Sequence, residues 1–218
     1  MFYLTHIRGQ GESIPTRTFV GMSAKMSTTR TLWLPTLLFG LLSAGSLVFA
    51  YNHNGTSAVL MGLWGLGFVL WTFVEYCVHR FLGHHPDPRW DIDDHRYHHR
   101  HPTQVSELVF EYRFSATTMA LFTTIAWIAT KDASNCFALI SGFSLGYLCY
   151  EWIHMATHVP QHIPFFSRRT QRHRRHHSAN GKCDYGITTG FWDCVFRTTG
   201  EKKILRTDRF DKLRHCDK

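Results

Sequence analysis

The sequence predicts an all-α protein built into a membrane, with four transmembrane helices beneath a helical cap on one face. Two observations lead there. No Asp, Glu, Lys or Arg occurs from residue 31 to 74, an uncharged run of 44 residues, and two further uncharged runs cover 114–130 and 133–150. A membrane-spanning helix needs about 17–25 mostly apolar residues. The basic residues are also segregated, since 23 of the 24 Lys and Arg fall on one side if the runs are threaded through a bilayer as two hairpins. By the positive-inside rule that side is cytoplasmic. A soluble globule and a disordered chain are both poor fits, although the slightly negative mean hydropathy of the 218 residues hides the segregation.

Residues 1–30 read as a polar N-terminal tail, without a signal-peptide core near Met1. Residues 31–218 form the membrane domain. Its first run is too long for one span and suits a hairpin, with spans at about 31–50 and 57–78. The turn is Tyr51-Asn52-His53-Asn54-Gly55, because Asn and Gly tolerate left-handed geometry. A second hairpin has spans at about 114–130 and 133–153, with Lys131-Asp132 at its tip. Residues 79–113 and 154–218 remain as the cytoplasmic cap. The six cysteines include no CxxC pair; they read as free thiols on the reducing side of the membrane.

Histidine is the compositional outlier, with 16 copies, as many as glycine. Ten fall into four clusters: His79 and His84; His95, His98 and His99; His154 and His158; His173, His176 and His177. Residues three and four apart share a helix face, so each H-x-x-H-H is expected to aim two imidazoles inward from one turn. Ten imidazoles exceed the coordination of one ion. Two ions with about five nitrogen ligands each use all ten and leave an open position on each. Neutral imidazole suits Zn, Fe, Cu and Ni, and open positions on a redox-capable pair point to iron and dioxygen, with zinc as the alternative metal. The competing reading is a basic, pH-sensing surface, but ten mutually repelling imidazoliums beside Arg174 and Arg175 would fold poorly. His6, His53 and His215 read as solvated, and His85, His101 and His162 as solvated or supporting.

These motifs resemble the fatty acid hydroxylase superfamily, an integral-membrane di-iron group that includes sterol desaturases, and most closely its fatty acid 2-hydroxylase branch. That branch carries H-x-x-x-x-H, H-x-x-H-H, H-x-x-x-H and H-x-x-H-H in this order, and the ten histidines above fall on it. The stretch from Tyr185 through Trp192-Asp193 to Thr198 is similar to the family's closing segment. The resemblance covers about residues 60–200. It implies two bound iron ions and hydroxylation of a lipid acyl chain, at the 2-position of a fatty acid or sphingolipid N-acyl chain, with dioxygen as oxidant. It also implies the endoplasmic reticulum membrane for a eukaryotic chain and the inner membrane for a bacterial one. The fused haem domain of some relatives is missing, so electrons are expected from a separate donor such as cytochrome b5. The 84–95 segment is shorter than in eukaryotic 2-hydroxylases, which leaves the acyl substrate open. The alternatives are a sterol or carotenoid oxidase or desaturase of the same superfamily, and, from another class, a zinc-binding membrane protein without catalysis.

Asp94, Glu151 and Asp193 are candidates to accept imidazole N–H bonds and fix the rings; the competing reading is solvated carboxylates. Trp71, Phe73, Leu145 and Tyr147 either line a slot for a lipid tail or simply pack the helices. Arg168-Arg169 through Arg174-Arg175 face anionic headgroups or an acidic electron donor. No nucleic-acid partner is expected.

Overall fold

The chain reverses between apolar helices wherever local chemistry ends one helix and starts the next. In the computed structural model, which describes residues 28–54, 57–87, 89, 95–102, 112–158 and 167–200, these reversals organise an all-helical bundle. Helix α1, Thr28–Asn54, continues through Tyr51–Asn54, so most of the predicted turn is helical. In an apolar medium a helix keeps its backbone groups paired until it reaches water. Helix α2, Ala58–Cys77, starts at Ser57, whose hydroxyl accepts from the Leu60 amide at 3.1 Å. Helices α4, Tyr112–Thr130, and α5, Ala133–His158, are separated by Lys131, which is left-handed at φ 48°, and Asp132, whose carboxylate caps the Asn135 amide at 2.8 Å.

Helix α5 is the hub. Against α1, Phe39 meets Tyr147 and Phe49 meets Phe137 at ring separations of 4.3 and 4.5 Å, so the two helices run antiparallel. Against α4, Phe122 stacks on Phe143 at 3.8 Å and Ser115 bonds the Tyr147 hydroxyl at 3.2 Å, again antiparallel. Helix α2 lies parallel to α5, with Gly67 against the backbone at Leu139 and Phe143, Gly142 against that at Trp64, and Gly146 against the Trp71 ring. A Cβ on Gly146 would sit 2.7 Å from that of Trp71, so these positions need glycine for the helices to approach. The C-termini of α2 and α5 and the N-terminus of α4 therefore share one end, and both reversals lie at the other.

The outer faces are apolar: Leu37 and Leu41 of α1, Val59 and Val69 of α2, and Leu121 and Ile125 of α4 are all exposed. Three helical segments, Trp33–His53, Ala58–Gly83 and Ala133–His158, are long and apolar enough to cross a membrane, whereas α4 offers the shorter stretch Phe114–Thr130. Spans two and four are longer than the sequence reading drew them and run on into the histidine clusters. The cap elements described are α3, His95–Arg100, α6, Ser167–Ser178, and α7, Phe191–Val195.

Candidate metal centre

The step of five between His79 and His84 poses a local problem. At 3.6 residues per turn two such residues point about 140° apart on an α-helix. The chain solves it by leaving α2 through a π-helical turn, Val78–Gly83, whose i→i+5 pairing brings the two rings to one side. Helix α5 carries His154 and His158 at the ordinary four-residue spacing, and α3 and α6 each carry one H-x-x-H-H.

All ten predicted histidines converge, in two groups of five. The first is His79, His84, His95, His99 and His176; the second is His98, His154, His158, His173 and His177. Within each group, one nitrogen per ring lies within 4.8 Å of all the others. Each H-x-x-H-H is shared: its first and last histidines join one group and its middle one joins the other, so all three rings point inward rather than two. Helix α3 gives two rings to the first group and α6 two to the second. The groups abut where His99 and His177 stack at 4.1 Å and 18°.

The spacing fits a metal. In the first group the Nε2 atoms of His84, His95, His99 and His176 form a closed four-sided ring with edges of 3.1, 3.1, 3.1 and 3.0 Å, and His79 Nε2 lies 3.1 Å from that of His95. The second group has Nε2 pairs at 3.2 Å (His98 and His154) and 3.1 Å (His173 and His177). Bonds of about 2.1 Å put neighbouring nitrogens about 3.0 Å apart at right angles and about 3.4 Å apart at tetrahedral angles. The observed values lie nearer the right angle, as five- or six-coordinate ions require.

Protonation agrees. Burial lowers His84 and His98 to about 4, His176 to about 3 and His99 to about 2, and it pushes His95 and His173 well below the ordinary imidazole value. Neighbouring rings add repulsion in His95, His99, His173 and His176. Burial thus favours the neutral form of these six rings, the form that binds metal.

Outward-facing ring nitrogens fix some of the orientations. The Nδ1 of His79 meets the Tyr185 carbonyl at 2.5 Å, and that of His176 the Cys183 carbonyl at 2.6 Å. The corresponding atoms of His98, His173 and His177 are buried without a hydrogen-bond partner among the described residues. The acceptors for these two rings of the first group are therefore backbone carbonyls of the 183–185 loop, which carry no mark in the sequence. Asp193 bonds no imidazole among the described residues. It is fully buried and accepts from the Tyr185 and Gly186 amides at 2.8 and 2.9 Å, the Thr198 hydroxyl at 2.7 Å and Arg172 at 2.8 Å. Burial raises its carboxyl above the ordinary value against the pull of those donors. It holds the loop residue, Tyr185, whose carbonyl meets His79. Glu151 is fully buried on α5, three residues before His154, and Asp94 lies outside the described residues.

Glu75 was missed. It is buried on α2 and its Oε1 accepts from the Ile187 and Thr188 amides at 2.5 and 2.9 Å, tying the loop to the span. A carboxylate inside an apolar span was the available signal. Of the other histidines, His53 lies at the far end of the bundle, and His85 and His101 bond backbone near the cap surface outside both groups. His6, His162 and His215 lie outside the described residues. No disulfide joins the described cysteines to one another.

A narrow apolar cavity of about 30 Å³ between α2, α4 and α5 ends on this centre. Trp71, Val78, Phe114, Tyr147 and Tyr150 line it, and His79 and His95 of the first group close it. Trp71 and Tyr147 therefore sit where a slot was expected. Phe73 instead packs outside on Trp192 at 4.8 Å, and Leu145 does not line the cavity.

Comparison with known proteins agrees with this geometry. Residues 64–198 match the family described as Fatty acid hydroxylase. The chain is 31% identical over 172 residues to a human fatty acid 2-hydroxylase, an alignment covering 74% of this chain and 46% of that one. It is 33% identical over 150 residues to a dihydroceramide fatty acyl 2-hydroxylase of Arabidopsis thaliana, covering 66% and 63%. The structure of scs7p with its hydroxylase domain visible superposes with a TM-score of 0.67 at 25% identity, covering 78% of this chain and 66% of that one. The chain spans less than half the length of the mammalian relatives it matches. With the matched segment containing all ten convergent histidines, the chain belongs to the fatty acid hydroxylase family.

Proposed function

We propose that this protein is a membrane-embedded lipid acyl hydroxylase whose ten histidines hold two iron ions, five imidazoles to each. The observation that carries the reading is the convergence of ten histidines in two groups of five at the end of an apolar-lined cavity, which supports an apolar substrate meeting a centre suited to two metals. When bound, the iron pair supplies dioxygen activation and C–H oxidation; overall, substrate, dioxygen, two electrons and two protons give the alcohol and water. The chain supplies the rest. Trp71, Phe114, Tyr147 and Tyr150 exclude water and align the tail, while the Tyr185 and Cys183 carbonyls hold His79 and His176 at fixed tautomer and angle.

The lining of Trp71, Val78 and Phe114 suits a hydrocarbon segment. The names of the relatives, fatty acid 2-hydroxylases and fatty acyl 2-hydroxylases acting on dihydroceramide, support the 2-position of a fatty acid or sphingolipid N-acyl chain. In this reading α4 crosses the bilayer as a fourth span, with tilt or local thinning meeting its shorter length. The cap with its histidines faces the cytoplasm, and electrons arrive from a redox protein such as cytochrome b5. Lipid mass spectrometry of cells with and without the protein tests it under isotopically labelled dioxygen. One labelled oxygen atom at C2 of an acyl chain is expected, and it should be lost in His176→Ala. No oxygenated lipid in the presence of a loaded metal centre overturns the reading.

A further inference from the structure

The five arginines of α6 have different tasks. Arg175 bonds Asp184 at 2.6 Å and Arg174 donates to the Thr157 carbonyl, so both are used inside the cap. Arg172 is neutralised by Asp193 at 2.8 Å. Arg169 is exposed and spends its Nε on the Thr188 carbonyl at 2.8 Å, which leaves its terminal nitrogens for an outside partner. Arg168 is exposed and has no hydrogen bond or ion pair among the described residues. Together with Thr189 and Gly190 these side chains line an open groove between α6 and the loop before α7.

The depth of this groove along the bundle can be measured on α2. The Trp192 indole of α7 donates to the Thr72 hydroxyl at 3.0 Å, and the Thr188 amide donates to Glu75. At 1.5 Å per residue those contacts lie about 21 and 26 Å from the Ala58 end of α2. A hydrocarbon core is about 30 Å thick. Helix α7 therefore lies against the outer edge of that core, and the arginine groove at the level where headgroups begin. The side chains sort accordingly. Phe191 and Val195 of α7 and Phe196 just after it are 59%, 50% and 44% exposed and continue the apolar surface of α2 through Phe73.

We propose that α7 is an in-plane interfacial anchor and that Arg168 and Arg169 form a site for the phosphate of an anionic phospholipid headgroup, beside the reaction centre and separate from it. Aromatic and aliphatic side chains at the boundary with two uncompensated guanidiniums just above match an anionic leaflet, apolar below and negative above. A soluble acidic protein would gain nothing from the apolar half of this surface.

The test uses the full-length protein in detergent micelles, with phosphatidylglycerol, phosphatidylcholine and inorganic phosphate as separate probes and native mass spectrometry as readout. The protein should retain phosphatidylglycerol in preference to phosphatidylcholine, and inorganic phosphate should not displace it. Arg168→Gln/Arg169→Gln should weaken retention about 25-fold, from about fivefold for each cation. Arg168→Gln alone, which leaves the Thr188 contact intact, should weaken it about fivefold, and the double Lys variant should retain most of the binding. Equal retention of both lipids, displacement by inorganic phosphate, or unchanged binding in the Gln variants at unchanged helicity overturns the proposal. None of these readouts needs turnover, so the result stands apart from the hydroxylase reading.

Discussion

Asp193→Asn tests whether the 183–198 loop governs one half of the metal centre. The substitution keeps the volume but replaces one acceptor oxygen by an NH2 group. In the better of its two orientations the amide oxygen still faces the Gly186 amide and Arg172, while the NH2 meets the Thr198 hydroxyl, which can turn to accept, and the Tyr185 amide, which cannot. One buried N–H is then left unsatisfied, at about 1–3 kcal/mol, and the bond to Arg172 loses its charged acceptor, at about 1 kcal/mol more. A loss of about 2–4 kcal/mol is expected, read as a lower melting temperature of the detergent-solubilised protein. Because the displaced amide belongs to the residue whose carbonyl holds His79 Nδ1, metal affinity of the first group should also fall, by about 10–100-fold. The second group does not share that loop and should be spared. Metal retained against a graded chelator, counted per protein, should show one ion released early and one unchanged. Simultaneous weakening of both ions, or of neither, would refute the reasoning that the loop acts on the first group alone.

Other outcomes follow from the same geometry. His79→Ala and His158→Ala should each cost one metal equivalent and spare the other, since the two rings belong to different groups; loss of both ions from either variant would show that the centre loads as one unit. The buried imidazoles have native values below their unfolded value of about 6.5, so the stability they contribute in the metal-free protein is complete above that pH. It should be lost as pH falls towards about 4 (His84 and His98) and about 3 (His176), and a melting temperature that holds or rises on acidification from pH 7 would contradict this. Gly142→Ala drives a methyl into the α2 backbone at Trp64 and should cost about 1–3 kcal/mol, whereas Gly65→Ala enters open space and should be neutral or stabilising by up to about 1 kcal/mol, both read from thermal melts. Thr118→Phe, placed in the wall of the apolar cavity, should lower kcat/KM for long acyl chains at least about tenfold with metal content unchanged; full activity would move the substrate path elsewhere.

Much of the centre was readable from spacing alone. Histidine is scarce enough that four clusters at helical intervals identify the residues, and uncharged runs of span length identify the helices beside them. What the spacing could not supply is direction. The interval from His79 to His84 is wrong for an α-helix, and only the π-helical turn at Val78–Gly83 turns both rings to one side. The predicted turn at Tyr51–Gly55 failed for a related reason. Asn and Gly permit a reversal, but a helix leaving an apolar layer stays wound until water can take its carbonyls, and α1 does so up to Asn54. Asp193 was chosen because a carboxylate near histidines often orients them, yet its donors lie one layer further out, and the acceptors are the carbonyls of Tyr185 and Cys183. Backbone carbonyls occur at every position, so no residue type marks the ones that matter.

The sequence by itself determined which elements are apolar, which side chains suit a metal and that there are enough of them for two ions, because these are properties of composition and interval. The partition of the ten rings belongs to the tertiary structure. Each H-x-x-H-H sends its outer rings to one group and its middle ring to the other, in opposite senses on α3 and α6, and that crossing exists only once the two short helices face each other above the ends of α2 and α5. Distance between nitrogens, rather than their order along the chain, decides which ion a histidine can hold.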